Sequence, residues 1–282
     1  MQSKTILLTG ATGFVGSHLL ERLLKRRYTV VCASRETSDL WRIKHLIEHH
    51  PNIEFFQFNN IQRDVSLCFR RHNIDCIIHC ATYYSKEENY GNCKETIESN
   101  INFPIKLLNL AIEHNVPCFI NTGSGFQDSK PDLIYSQSKS IFETILKKAV
   151  EAQRIKALTL QLYSPYGPKD NAKVLPFIIK KALKKELIHL ASPYERLEFT
   201  YIEDIVDAYM LALNEIPNVT QYENIQILSF PDATLQQVVN KICTQTEGEF
   251  EHFYPKNILD WKPKHTFEQG LKKTIAWYKK NV

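Results

Sequence analysis

The eight residues Thr9-Gly10-Ala11-Thr12-Gly13-Phe14-Val15-Gly16 constrain this chain more than any other stretch. They follow the apolar run Thr5-Ile6-Leu7-Leu8, which reads as a strand. They precede a segment, 15–26, whose Val15, Leu19, Leu20, Leu23 and Leu24 share one helical face. The spacing is G-x-x-G-x-x-G. Gly10 permits a tight turn, Gly13 lets the backbone approach a pyrophosphate, and Gly16 lets the helix pack closely on the sheet. The helix N-terminus then offers N–H groups and a positive dipole end to an anion.

The rest of the first half repeats this rhythm. Short apolar runs at 28–33, 53–58, 76–80, 118–121 and 159–163 alternate with helical patterns, notably 94–114 and 135–152. Alternating strands and helices imply an α/β, doubly wound parallel sheet of the Rossmann type. After Pro165 the pattern breaks, with further prolines at 168, 176 and 193. The expected organisation is a dinucleotide-binding domain over 1–165 and a small mixed α/β lobe over 166–282. A strand-then-helix unit over 198–216 is expected to return to the first domain. A last helix is expected over 267–279.

Composition excludes several classes. Hydrophobic residues make up 43% and charged residues 23%, as in ordinary globular chains. A net charge of +4 is too small for a nucleic-acid surface. No apolar run approaches the roughly 20 residues that cross a bilayer, and no signal peptide is expected, because charged Lys4 precedes only a short apolar stretch. The expected setting is the cytoplasm. The 7 cysteines are odd in number and contain no C-x-x-C pair, which points to buried free thiols. His45, His49 and His50 beside Glu48 read as a solvated helix face, and no metal is expected. Lys180, Lys181, Lys184 and Lys185 read the same way.

Two local patterns carry chemistry. The second strand ends Val31-Cys32-Ala33-Ser34-Arg35, without the acid that would bind the ribose hydroxyls of NAD. A guanidinium beside a small hydroxyl suits a 2′-phosphate instead, so NADP is the expected cofactor. The other reading of Arg35 is a solvated surface charge. Further on, Tyr135-Ser136-Gln137-Ser138-Lys139 puts a tyrosine and a lysine on one helical face. The lysine charge is expected to lower the tyrosine pKa toward working pH. Ser124, just past the fifth strand, is the candidate to hold a substrate oxygen beside Tyr135, with Thr122 as the competing hydroxyl. Tyr83 and Tyr84 follow the fourth strand and either stack on a ligand or pack in the core.

With these residues in view, the chain resembles the extended short-chain dehydrogenase/reductases, the nucleotide-sugar epimerase/dehydratase/reductase superfamily. The resemblance runs from the glycine loop through Ile77-Ile78-His79-Cys80-Ala81-Thr82, Asn100, Ser124, Tyr135 and Lys139. It continues through Tyr163-Ser164-Pro165-Tyr166-Gly167-Pro168 and Phe199-Thr200-Tyr201-Ile202-Glu203-Asp204 to Trp261-Lys262-Pro263. It implies that Gly10, Thr12, Gly13, Phe14 and Val15 hold the pyrophosphate. Asn60 and Ile61 would face the adenine. Cys80, Ala81, Thr82, Lys139 and the backbone near Tyr163 would line the nicotinamide and its ribose. Asn100 would support the site's backbone or a proton-relay water.

Within the superfamily, Gly123 and Gly125 leave Ser124 without the acidic neighbours a dehydratase uses. The phrase N-T-G-S-G-F-Q followed by Y-S-Q-S-K is similar to 4-ketoreductases of the CDP-paratose and CDP-abequose synthase type, which make deoxysugars for surface polysaccharide. The resemblance therefore implies reduction of a 4-keto group by NADPH, with Tyr135 giving the proton, Ser124 binding the oxygen and Lys139 tuning Tyr135. Substrate contacts are expected at Thr82, Tyr83, Ser124, Ser164, Val174 and Arg196. One departure stands out: Leu197 occupies the place where relatives put an arginine before the acidic-aromatic pair Glu198-Phe199. The rival readings are a nucleotide-sugar epimerase with tightly held NAD and a non-catalytic NADP-sensing regulator. Relatives also imply a homodimer through helices 94–114 and 135–152.

Overall fold

A computed structural model describes residues 4–60, 64–170, 173–184, 186, 194–244 and 261–281. Ile61, Lys185 and Pro193, and the side chain of Cys243, lie outside the described part. In chain order the described strands are β1 (Thr5–Thr9), β2 (Thr29–Arg35), β3 (Ile53–Phe58), β4 (Cys76–His79), β5 (Cys118–Ser124), β6 (Lys156–Leu162), β7 (Pro165–Tyr166), β8 (Arg196–Tyr201), β9 (Glu223–Ile227) and β10 (Phe230–Thr234). The helices that matter below are α1 (Phe14–Lys25), α2 (Tyr90–Ile97), α3 (Phe103–Glu113), α4 (Phe126–Ser129), α5 (Ile134–Glu151), α6 (Val174–Leu183), α7 (Ile202–Glu215) and α8 (Phe267–Asn281). The chain divides into two compact units: Met1–Gln161 with Tyr209–Gln226, and Leu162–Ala208 with Ile227–Val282.

The first unit is built on a seven-stranded sheet in the order β3-β2-β1-β4-β5-β6-β9. The pairs β2/β3, β1/β2, β1/β4 and β4/β5 are parallel. Leu7 sits between Val31 and Ile77, and all three are fully buried. Such near-continuous apolar runs are what a parallel sheet covered on both faces demands. The strand order reverses direction between β1 and β4, and the carboxyl ends of strands at such a point form a ligand crevice.

Two strands run further than their apolar cores. β2 continues through Ser34 and Arg35, which pair with Gln57 and Phe58. β5 continues to Ser124. Ladder hydrogen bonds do not need apolar side chains, so hydrophobic pattern alone ends these strands early. The 94–114 helix also differs from its expectation. It starts at Tyr90, with Asn89 Oδ1 accepting from the Asn92 amide at 3.0 Å. It then widens into a π turn over Glu98–Asn102 before α3. Pro104 lacks an N–H for the carbonyl four residues back, and a widened turn accommodates that gap.

The second unit carries a three-stranded sheet, β10-β8-β7. β8 pairs parallel with β7 and antiparallel with β10. Of the segment 198–216, expected to return to the first domain, residues 198–208 fall in the second unit and 209–216 in the first. β8 stays in the second unit because Phe199 and Tyr201 join Tyr166 and Phe267 in an aromatic cluster, with ring centroids 5.4 to 6.0 Å apart. The segment that does join the first unit begins at Tyr209, and its strand is β9. The Ile202-Glu203-Asp204 and Trp261-Lys262-Pro263 motifs meet here. Asp204 accepts from the amides of Lys264 and His265 at 3.0 and 3.3 Å and lies 2.8 Å from His265 Nδ1. Trp261 Nε1 donates to the Asp204 carbonyl.

Cys32, Cys68, Cys76 and Cys118 are buried free thiols, and Cys80 and Cys93 are half-buried. Among the described residues, no helix is long and apolar enough to cross a membrane.

Candidate active site

The glycine loop is a cradle that side chains would fill. Gly10 has φ +73°, and a Cβ there would lie 2.6 Å from the Ala81 amide nitrogen and 2.7 Å from the Cys80 carbonyl carbon. The turns after β1 and β4 therefore pack backbone to backbone. A Cβ on Gly16 would run into the Gly10 carbonyl oxygen. Gly16 thus makes room for the loop, where its spacing alone implied room for the sheet. Gly13 caps α1 without any side-chain hydrogen bond, and the first turn contains no acid. Thr12 stands in the loop, and Phe14 and Val15 open the helix. A backbone nest at a helix N-terminus, with no carboxylate of its own, fits a pyrophosphate.

Ser34 is buried, with its Oγ 3.4 Å from the Arg35 carbonyl oxygen, while Arg35 is exposed. A second guanidinium stands nearby in sequence and was not legible in it. Arg42 donates to the Thr12 carbonyl at 3.3 Å and lies 4.5 Å over the Trp41 ring. It sits in a loop without periodicity, so no pattern marks it. Asn60 is exposed, and its carbonyl accepts from the Asp64 amide.

Tyr135 opens α5, and the hydroxyls of Ser124 and Thr82 hydrogen-bond its side chain. The Tyr84 ring meets it edge-on at 4.9 Å, and Phe126 lies 6.4 Å away. Burial pushes the Tyr135 phenol above its ordinary range, and the two hydroxyls offset only part of that. Tyr135 therefore carries its proton at neutral pH. The Ser124 and Thr82 hydroxyls lower its pKa, and Tyr84 raises it. Lys139 is buried and donates to the Thr122 carbonyl at 3.1 Å. Burial lowers its pKa to about 8, with Cys80 working the other way.

The geometry separates the two candidate hydroxyls. Thr122 Oγ1 is 2.6 Å from Tyr209 Oη and 3.5 Å from Cys80 Sγ. Ser124 is the one at Tyr135. Asn100 sits on the π turn and binds the segment just past β4: Oδ1 accepts from Thr82 Oγ1 at 3.0 Å and from the Tyr83 amide at 2.8 Å. Its Nδ2 donates to the Tyr83 carbonyl and to Ser138 Oγ, which in turn donates to the Tyr135 carbonyl at 2.6 Å. The Tyr83 hydroxyl donates to Asn92 Oδ1 at 2.7 Å, and the exposed Tyr84 ring faces Tyr135. Glu88 accepts from the Ile134 amide at 2.7 Å and so caps α5 from a distant loop.

The remaining candidates belong to the second unit. Tyr163 is buried, and Ser164 holds a positive φ of 29°. Val174 opens α6. Arg196 opens β8 and is exposed, while Leu197 is half-buried. Among the described residues, no group of three or more His, Cys, Asp or Glu side chains could hold a metal.

Comparison with known proteins matches this architecture. The model of the NAD dependent epimerase/dehydratase family matches residues 6–227. CDP-abequose synthase of Salmonella muenchen is 29% identical over 298 residues, covering 97% of this chain and 98% of that protein. UDP-glucose 4-epimerase of Streptococcus mutans is 24% identical, covering 97% of this chain and 96% of that protein. The structure of a Thermus thermophilus UDP-glucose 4-epimerase complexed with NAD superposes with a TM-score of 0.79 at 19% identity, covering 99% of this chain and all of the other.

Proposed function

Because the chain belongs to the NAD dependent epimerase/dehydratase family, we propose that it is an NADP-dependent oxidoreductase that reduces the 4-keto group of a nucleotide-linked deoxysugar. The observation that carries this reading is Tyr135, half-buried, its phenol pushed up by desolvation and hydrogen-bonded by the Ser124 hydroxyl. That is the arrangement of a proton donor waiting for an oxygen on which negative charge develops.

Gly10, Thr12, Gly13, Phe14 and Val15 would hold the cofactor pyrophosphate. Ser34 and Arg35, joined by Arg42, would take the 2′-phosphate. Asn60 and Ile61 would face the adenine. Cys80, Ala81, Thr82, Lys139, Tyr135 and Tyr163 would line the nicotinamide riboside. The bound reduced nicotinamide supplies hydride. Tyr135 then gives its proton to the former keto oxygen, and Ser124 donates a hydrogen bond to that oxygen as charge builds. Lys139 tunes Tyr135, and its hydrogen bond to the Thr122 carbonyl holds the end of β5. Substrate contacts are assigned to Thr82, Tyr83, Ser124, Ser164, Val174 and Arg196, with Tyr84 beside Tyr135 as a further one. The product would serve surface-polysaccharide synthesis in the cytoplasm. Exposed Tyr90, Ile97 and Ile141 on α2 and α5 support a homodimer through these helices.

The Thermus neighbour with NAD favours a second reading, an epimerase that keeps its cofactor. The nicotinamide content of freshly purified, denatured protein separates the two. A reductase that exchanges NADPH releases little or none. Near-stoichiometric NAD in the supernatant would establish the epimerase instead.

A further inference from the structure

Ser124-Gly125-Phe126-Gln127 forms a hydrogen-bonded turn leading into the single turn α4. Ser124 Oγ accepts from the Phe126 amide at 3.2 Å, and Gln127 Oε1 accepts from the Ser124 amide at 2.9 Å. The Ser124 side chain thus holds the backbone two residues on, and the Gln127 side chain holds the Ser124 backbone. The Ser124 oxygen spends an acceptor site on Phe126, which leaves its proton to give.

Gln127 does not end at Ser124. Its Nε2 donates to Glu143 Oε2 at 2.8 Å, and Glu143 lies two turns after Tyr135 on α5. The other Glu143 oxygen accepts from Asn224 Nδ2 at 2.6 Å, and Tyr222 also hydrogen-bonds the carboxylate. Beneath the turn, a Cβ at Gly123 would lie 2.8 Å from Thr159 Cγ2 and 3.1 Å from Gln127 Oε1. The position is kept bare where Gln127 passes. A side-chain strut thus joins the end of β5, which carries Ser124, to the helix that carries Tyr135.

We propose that Gln127 and Glu143 are positioning residues that fix Ser124 against Tyr135, acting through the Ser124 backbone without touching substrate. This rests on the reading that Ser124 holds the reacting oxygen. A strut of this kind sets the placement of a transition-state hydrogen bond, so its loss lowers kcat more than it raises KM.

The test has two arms. In the first, the Ser124 amide is followed by hydrogen exchange in the wild type and Gln127→Met. The variant is expected to exchange roughly tenfold faster at this amide, with melting temperature and α5 protection retained. In the second, kcat and KM are measured on whichever CDP-, dTDP-, GDP- or UDP-linked 4-keto sugar the wild type turns over. Gln127→Met is expected to lose about tenfold in kcat, with KM within about twofold, and to lose nothing further in a Ser124→Ala background. The double exchange Gln127→Glu with Glu143→Gln restores a carboxylate–amide pair and is expected to recover most of the rate. Unchanged exchange at Ser124, or a loss that adds in full to that of Ser124→Ala, overturns the proposal. If no sugar is turned over, the function reading falls, and the exchange arm still decides the strut.

Discussion

Tyr135 in the first unit, half-buried, and Asp204 in the second, buried, are both polar side chains beside aromatic rings, yet their hydrogen bonds are spent differently. The Asp204 carboxylate takes two backbone amides and the His265 ring, and His265 passes on to Lys273 and Glu203 at 2.8 and 3.3 Å. Burial still pushes the Asp204 carboxyl up, because these donors only partly offset desolvation. Every partner there is the chain itself, so Asp204 reads as a clamp between α7 and the segment before α8. Tyr135 is met by two hydroxyls that can rotate, one of which has a proton to give. A structural centre consumes its hydrogen-bonding capacity, whereas a reactive one keeps some in reserve.

The sharpest way to break this contrast is Tyr135→Phe. It is expected to cut turnover by roughly a thousandfold or more while shifting stability by less than about 1 kcal/mol. Steady-state rates and a urea melt check both halves, and retained turnover would remove Tyr135 from the chemistry. Asp204→Ala should behave in the opposite way. Chemical denaturation should show a loss of about 3 kcal/mol, since two amides and a histidine lose their partner in a buried place. Turnover per folded molecule should stay within about threefold, and a selective collapse of kcat would make Asp204 more than a clamp.

Lys139→Met tests the same contrast through pH. The folded chain releases the Lys139 proton near pH 8, and the unfolded chain only near the ordinary 10.5. Between those values the unfolded state binds more protons, so stability rises with pH there, and below about 8 the burial penalty is fully present. Methionine removes that penalty and one hydrogen bond. The variant should therefore be about 2 kcal/mol more stable at pH 7 and should lack the rise between pH 8 and 10.5. Denaturant melts across this range decide it, with a wild-type curve flat over that window being the contrary result. The smallest expected effect is that of Arg35→Ala, an exposed guanidinium. NADPH binding should weaken by about tenfold, or about 1.4 kcal/mol, with NADH binding unchanged. Equal affinity for the two cofactors in the wild type would return Arg35 to the solvated surface.

The two units were not equally legible in the sequence. The first announces itself because a parallel sheet covered on both faces needs apolar runs, and a phosphate loop needs glycines at fixed places. Gly10 and Gly16 are forced by backbone contacts that any β-carbon would break. The sequence placed Ser124 beside Tyr135 and named Asn100 as a support, and the structure shows Asn100 gripping the backbone at Tyr83. What escaped notice was long-range. Arg42, Tyr209 and Glu88 reach the site from loops or helices whose local pattern carries no sign of it. The Gln127 side chain's hold on the Ser124 amide has no local pattern of its own either. Helical spacing put Lys139 on the face of Tyr135, but it gave no sign that the amine reaches the Thr122 carbonyl. In the second unit, β8 looked like a return to the first sheet, since only the aromatic cluster around Tyr166 and Phe267 decides where it stays.

The central claim is that Tyr135 protonates a ketone reduced by NADPH. It is tested most directly by the stoichiometry of cofactor consumption on CDP-, dTDP-, GDP- and UDP-linked 4-keto sugars, followed by loss of reduced-nicotinamide absorbance. One NADPH oxidised for each 4-hydroxy sugar formed, with Tyr135→Phe inactive, is the predicted result. Interconversion of two 4-hydroxy nucleotide sugars with no net change in added cofactor would contradict it.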